Sequence, residues 1–223
     1  FLKTGIGFHS NDTRVVLQQN KDILPSAYGT DLGVILKPTQ NLIINSALWT
    51  LFSDQEFVYV GDAGIVEPSG KSKRYGFDLG LRYQLNDFLY FDFDSNYSFA
   101  RSVDEPSGQN YIPLAPKWTS VGGISLKNYK RFSGSIQYRY LGDRPANEDN
   151  SVIAEGYFVT DLNMNYQWSK SLVIGLNIQN LFDTEWNETQ FLTESQLQNE
   201  SQSVEEIHFT PGTPFFAKIK VTY

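Results

Sequence analysis

Along most of this chain apolar residues recur at every second position. In 74–86, Tyr75, Phe77, Leu79, Leu81, Tyr83 and Leu85 fall on one face, with Gly76, Asp78, Gly80, Arg82 and Gln84 on the other. A period of two is that of a β-strand; a helix would repeat its apolar positions at three and four. Residues 87–101 repeat the scheme, with Leu89, Phe91, Phe93, Tyr97 and Phe99 against Asp92, Asp94, Asn96 and Ser98. So do 131–141 (Phe132, Gly134, Ile136, Tyr138, Tyr140) and 155–167 (Phe158, Thr160, Leu162, Met164, Tyr166). Weaker alternation covers 1–9, 27–37, 41–60, 116–127, 170–182 and 212–223, so the pattern predicts ten strands. Many are longer than the five or six residues usual in globular sheets. They match the roughly 9 to 11 residues of a tilted membrane-spanning strand.

The links between strands alternate in length. Short polar links are expected at 37–40, 85–87, 128–130 and 168–170, and long ones at 10–26, 61–73, 102–115, 142–154 and 183–211. Short turns at one end and long loops at the other are the layout of an outer-membrane barrel. The predicted fold is all-β, an antiparallel transmembrane β-barrel portion. Aromatic residues reinforce it. Phe88, Tyr166, Trp168 and Tyr223 lie beside short links, while Tyr75, Phe99, Tyr140 and Tyr157 lie near long ones. Interfacial girdles of this kind suit rings with a polar edge. The competing reading is a soluble sandwich with an aromatic core.

Composition adds constraints. The 223 residues carry a net charge of -7, which argues against a nucleic-acid partner. Apolar runs stop at four or five residues, far short of the about 20 a spanning helix needs. Cysteine is absent, so no disulfide framework or cysteine metal site is expected.

Motif tests give no catalytic or cofactor site. Ser69-Gly-Lys-Ser72 resembles the end of a phosphate loop, but position 65 is Ile where that loop needs Gly. Asp92, Asp94 and Asn96 have the opening spacing of a calcium loop, but Tyr97 and Val103 replace its Gly and Glu. On a strand these three share one face, where water solvates them. His9 and His208 are far apart, without a second histidine at metal spacing. The link 183–211 carries Glu185, Glu188, Glu194, Glu200, Glu205 and Glu206, with no Lys or Arg between 184 and 211. It reads as a solvated mobile loop, as a cation-attracting lid, or as a calcium bridge to lipopolysaccharide.

Three stretches carry a family resemblance. Gly7-Phe-His-Ser-Asn-Asp12 resembles a motif at the outer end of a mid-barrel strand in TonB-dependent outer-membrane receptors. Asn180, Leu181, Phe182, Asp183 and, further on, Trp186 resemble their near-terminal signature, with Trp186 where Tyr is usual. The third is the closing strand, with Phe215, Ala217, Ile219, Val221 and Tyr223 alternating with Lys218 and Lys220. In that family such an ending is the signal read by the barrel-assembly machinery, more often on Phe than on Tyr.

The resemblance implies the last ten strands of a 22-stranded barrel, with the plug and its TonB-contacting box upstream. It also implies a bacterial outer-membrane location and no covalent chemistry or cofactor. The expected activity is uptake of a ferric siderophore or another scarce nutrient, driven through the TonB complex. Ligand contacts are then expected from the outer loops 61–73, 102–115, 142–154 and 183–211. Haem is less expected, since the histidine-bearing loop motifs of haem receptors are absent. The alternative is a small ten-stranded barrel acting as a passive channel or adhesin.

Overall fold

The computed structural model describes residues 1–8, 24–60, 65–196, 198–199 and 201–223, and every regular element among them is a strand. The elements are β1 (Leu2–Phe8), β2 (Ser26–Thr39), β3 (Leu42–Val60), β4 (Ile65–Gln84), β5 (Leu89–Ser102), β6 (Trp118–Tyr129) and β7 (Phe132–Leu141). They continue with β8 (Arg144–Pro145), β9 (Ile153–Ala154), β10 (Tyr157–Gln167), β11 (Val173–Gln179), β12 (Asn187–Ser195), β13 (Val204–Pro211) and β14 (Phe216–Thr222). Ten of them form one sheet in the order β1-β2-β3-β4-β5-β6-β7-β10-β11-β14. The pairs β8–β9 and β12–β13 stand apart as two-stranded ladders. All ten predicted strands are present, most ends shifted by a few residues, while the strand expected from 74 begins already at Ile65.

Cross-strand register turns the sequence alternation into two distinct surfaces. One continuous row of partners reads Leu42–Tyr83–Phe91–Ile124–Ile136–Leu162–Ile178–Ala217. A second reads Leu2–Leu32–Leu48–Phe77–Tyr97–Trp118. The opposite face carries Arg82–Asp92–Gly123–Gln137–Asp161. Apolar side chains stay exposed across eight or more strands, among them Leu32, Leu48, Phe77, Trp118, Ile136 and Ile219. Soluble monomers rarely expose an apolar patch beyond a few hundred Å². The hydrophobic effect therefore requires a non-aqueous medium against this face, and the sandwich reading fails.

Short turns close one end of the sheet. Trp168 N donates to Leu172 O at 2.9 Å, and Leu85 N to Leu89 O at 2.9 Å. Between paired Tyr129 and Phe132, Lys130 and Arg131 both hold positive φ (48° and 74°). Two such residues in succession give the type I′ twist that matches a tight hairpin. At the other end one expectation needs correction. The link 61–73 is much shorter, because β3 and β4 stay paired up to Val60 and Ile65. Its Gly70, at φ 71°, sits at a register shift opposite Glu56, which explains the Ser-Gly-Lys-Ser stretch as a bulge.

The sheet is open. β1 and β14 are its two edges and do not pair with each other. A closed ten-stranded barrel would require that pairing.

Candidate functional site

Among the described residues little is buried, and one cluster of what is, Val159, Thr160, Asn180 and Trp186, lies around the end of β11. β11 ends at Gln179, and Asn180 follows in the left-handed region at φ 50°. Asparagine tolerates this conformation better than most residues. Its side chain is 1% exposed. Asn180 Nδ2 donates to Thr184 O at 2.8 Å and to Thr213 O at 3.0 Å, while Oδ1 accepts from Thr184 N at 2.8 Å. Its backbone N donates to Asp161 Oδ1 at 2.9 Å. Leu181 N reaches Thr160 O at 2.7 Å. Asp183, also left-handed at φ 50°, accepts from Phe215 N at 2.9 Å through Oδ1. Phe182 points away and is exposed. The residues of the near-terminal signature thus tie the ends of β10 and β11 to the entry of β14.

Trp186 completes the knot. It is 8% exposed, lies 4.7 Å from the Tyr157 ring, and donates Nε1–H to Thr213 O at 3.1 Å. The Arg139 guanidinium stands 5.4 Å from its ring and 3.5 Å from Asp161. Tyr157 therefore belongs on the polar face under Trp186, not in an outward girdle, because period two places it opposite Phe158. Of the other expected aromatics, Tyr75 pairs with Phe99 at 4.9 Å, Phe88 with Tyr129 at 4.4 Å, and Tyr166 with Phe132 at 4.6 Å. A Cβ on Gly212 would overlap the Trp186 indole. We therefore expect Gly212→Ala to destabilise the fold by about 1–3 kcal/mol through overpacking. A urea midpoint shift with restored tryptophan fluorescence at Trp186 on reversion checks this.

The acidic link 183–211 is not an unstructured loop. Its β12–β13 hairpin is docked at the base by Gln190, which is 4% exposed. Gln190 Nε2 donates to Glu155 O at 2.7 Å, and Glu155 N donates to Gln190 Oε1 at 3.0 Å. Glu194 faces Glu205, and Thr193 faces Glu206. Like charges directly opposite repel. Ser203 bonds Glu194, Ser195 bonds Glu206 at 3.1 Å, and His208 Nε2 lies 3.7 Å from Glu206. His9 and Glu200 lie outside the described residues, as does most of the 7–12 stretch.

Loops 102–115 and 142–154 pack on each other. Tyr111 N donates to Glu148 O at 3.0 Å, and Leu114 N to Pro145 O at 2.7 Å. Between them lies a cavity of about 250 Å³ bordered by Arg101, Tyr111, Lys117, Asp143 and Arg144. Arg144 Nε is buried with no hydrogen-bond partner among the described residues. Burial lowers the Arg144 pKa from its usual value, opposed by Tyr157 and Asp143. Three cations face one carboxylate here. A larger recess of about 780 Å³ runs along the polar face past Lys3, Asn45, Asp78, Asp94, Asn96 and Thr119. Arg82 Nη2 bonds Asp94 at 2.6 Å, Trp49 Nε1 bonds Asp78 at 3.1 Å, and Asn96 also bonds Asp78. These contacts occupy Asp78, Asp94 and Asn96, the last two of which had calcium-loop spacing. Gln190, Thr213, Asp161 and Arg139 were not singled out from sequence; each is an ordinary polar residue whose role needs a distant partner.

Comparison with known proteins follows from this geometry. The model of the family "TonB dependent receptor-like, beta-barrel" matches residues 10–181. No curated protein matches the chain. The ferric-catecholate import receptor Fiu from E. coli K12, in its closed form, superposes with a TM-score of 0.70 at 17% identity, covering 99% of this chain and 32% of that one. The copper transporter OprC gives 0.68 at 15% identity, with 99% and 36% covered. The ferripyoverdine receptor of the Pseudomonas aeruginosa outer membrane, bound to ferripyoverdine, gives 0.67 at 14%, with 98% and 30% covered. The chain spans about a third of the length of each of these proteins. A ten-stranded sheet with one lipid-suited face, short turns at one end and a family match over most of its length leads to one assignment: the chain belongs to the TonB-dependent receptor-like β-barrel family of outer-membrane proteins.

Proposed function

We propose that these 223 residues are the C-terminal portion of the barrel domain of a receptor that imports a ferric siderophore or similar scarce nutrient with TonB-transmitted energy. The observation that carries this reading is the open ten-stranded sheet. Its edges β1 and β14 do not meet, so it is built to continue into further strands, and it aligns with about a third of much larger receptors. A passive ten-stranded channel would need those edges joined.

In this reading the polar recess is the wall against which a plug rests, and outer loops contact the ligand. The cavity between loops 102–115 and 142–154 suits an anionic group, since Arg101, Lys117 and Arg144 outnumber Asp143. The acidic β12–β13 hairpin is the poorer match to such a group. The receptor binds and releases without covalent chemistry. Phe215, Ala217, Ile219, Val221 and Tyr223 serve as the assembly signal.

Uptake of iron-55 as a panel of ferric siderophores tests the reading, in cells carrying the full-length gene with and without TonB. We expect accumulation of at least one complex that disappears without TonB or with a collapsed proton gradient. Accumulation that persists without TonB would instead make the protein a passive channel.

A further inference from the structure

The cations around the cavity between loops 102–115 and 142–154 sit on backbone that is already tied down. Arg101 is bridged to Tyr111. Its guanidinium lies 4.1 Å from the Phe99 ring and 3.8 Å from that of Tyr111, and Nη1 donates to Ala100 O at 2.7 Å. Arg144 is paired with Ala154 in the β8–β9 ladder. Lys117, at the entry of β6, accepts Ser98 N on its carbonyl at 2.9 Å. Ile112, Ala146 and Ala154 of the same loops are buried, so the two loops form a small packed unit.

The charges in this unit do not balance. Among the described residues Asp143 is the one carboxylate bordering the cavity, and its Oδ1 already accepts from Gly156 N at 2.8 Å. Arg144 Nε is buried with no hydrogen-bond partner among the described residues. A buried donor on a charged group is costly to leave unmade, and such an orphan calls for a water or an ion. Water satisfies a single N–H but does not neutralise three cations. The acidic arm of a transported ligand does so only while the ligand is bound. Size narrows the choice further. At about 30 Å³ per water, the cavity of about 250 Å³ has room for about eight waters, or for a compact oxyanion with a few of them. It lies below the roughly 300–1,000 Å³ of pockets that enclose a drug-sized molecule, so a whole ferric chelate does not fit.

We propose that this cavity is a binding site for a free inorganic oxyanion of the phosphate or sulfate type, which cross-links loops 102–115 and 142–154. Several acceptor oxygens on one ion can meet Arg144 Nε, the remaining Arg101 N–H groups and the Lys117 ammonium together. A chloride offers only one centre. The two arginines supply fixed direction and the lysine a mobile point charge. The ion adds to the backbone bonds that already join the loops, from Tyr111 N to Glu148 O and from Leu114 N to Pro145 O. The inference goes beyond the transport reading, since it needs neither TonB nor a particular transported ligand.

The test uses full-length protein in detergent, freed of oxyanions and kept in chloride at matched ionic strength. Inorganic phosphate is titrated by isothermal calorimetry, with sulfate and further chloride as parallel arms. Phosphate and sulfate should bind, and chloride should not. Arg144→Gln should weaken phosphate binding about tenfold or more, the loss of one charge-assisted hydrogen bond. Lys117→Gln should weaken it about two- to fivefold, as an exposed charge does. Heat-modifiable migration on a gel reports that each variant is folded. Amide hydrogen exchange supplies a second readout: phosphate should slow exchange at Tyr111 and Leu114 in the wild type and not in the Arg144→Gln variant. No phosphate binding by the wild type, or equal affinity in the Arg144→Gln variant, would overturn the proposal. So would binding that leaves both amides unchanged. None of these readouts involves transport, so such a failure would leave the uptake reading standing.

Discussion

Asn180→Ala is expected to destabilise the barrel by on the order of 3–5 kcal/mol, read as a lowered urea midpoint in detergent micelles. The side chain is 1% exposed and satisfies three backbone groups: Thr184 N–H, Thr184 C=O and Thr213 C=O. Alanine leaves the Thr184 N–H and C=O without this partner, at about 1–3 kcal/mol each before any relaxation, and takes from Thr213 C=O one of its two donors, the other being Trp186 Nε1. It also loses the tolerance of asparagine for the left-handed backbone at φ 50°, worth about 1–2 kcal/mol. Asn180→Gly separates the contributions, since it restores the backbone tolerance but not the hydrogen bonds. It should recover only the smaller part. Asn180→Asp should also fail, because a carboxylate cannot donate to the two carbonyls. A loss below about 1 kcal/mol for Asn180→Ala would mean that water replaces these bonds and that the knot is not dry.

Ile136→Arg is expected to cost about 2–4 kcal/mol, the range for a cation on the lipid face near the bilayer midplane. Ile136 is the middle of β7 and is flanked in register by Ile124 and Leu162. Leu79→Arg on β4 should behave alike. The neighbouring Gln137→Ala should cost under about 1 kcal/mol. Gln137 lies on the polar face and donates only a long hydrogen bond, 3.4 Å, to Asp92. Folding titrations into lipid vesicles measure both. Similar losses at 136 and 137 would show that the two faces have been assigned the wrong way round.

The barrel wall was legible in the sequence because period two is a local property, visible wherever one face meets lipid and the other water. Tyr75 to Tyr83 and Phe158 to Tyr166 needed no partner to declare their faces. Strand ends were less visible. The paired extension up to Val60 and Ile65 has no membrane to impose alternation, so 61–73 reads as a loop. Tyr157 misled for a different reason: an aromatic beside a long link suits a girdle, and only its parity with Phe158 reveals the inward direction. The signature Asn180 to Trp186 was visible as a resemblance, but its work as a knot was not. That depends on Thr213 and Phe215, about 30 residues away, brought back by a hairpin whose glutamates read as a solvated loop. Gln190 had no sequence signal at all, being one polar residue in a polar stretch.

The lysines of β14 act as a parity check on assembly. If the final strand paired with β11 one residue out of place, Lys218 and Lys220 would move into lipid and Ile219 and Val221 into the polar interior. The two lysines alone would then cost about 4–8 kcal/mol at mid-membrane depth. Odd slips are therefore eliminated by the bilayer itself. A slip of two residues escapes that filter, since it keeps every face. It does not escape Asp183, whose bond to the Phe215 amide fixes where the strand begins. Solvent periodicity and a single carboxylate thus divide the error modes of the last pairing between them, odd and even.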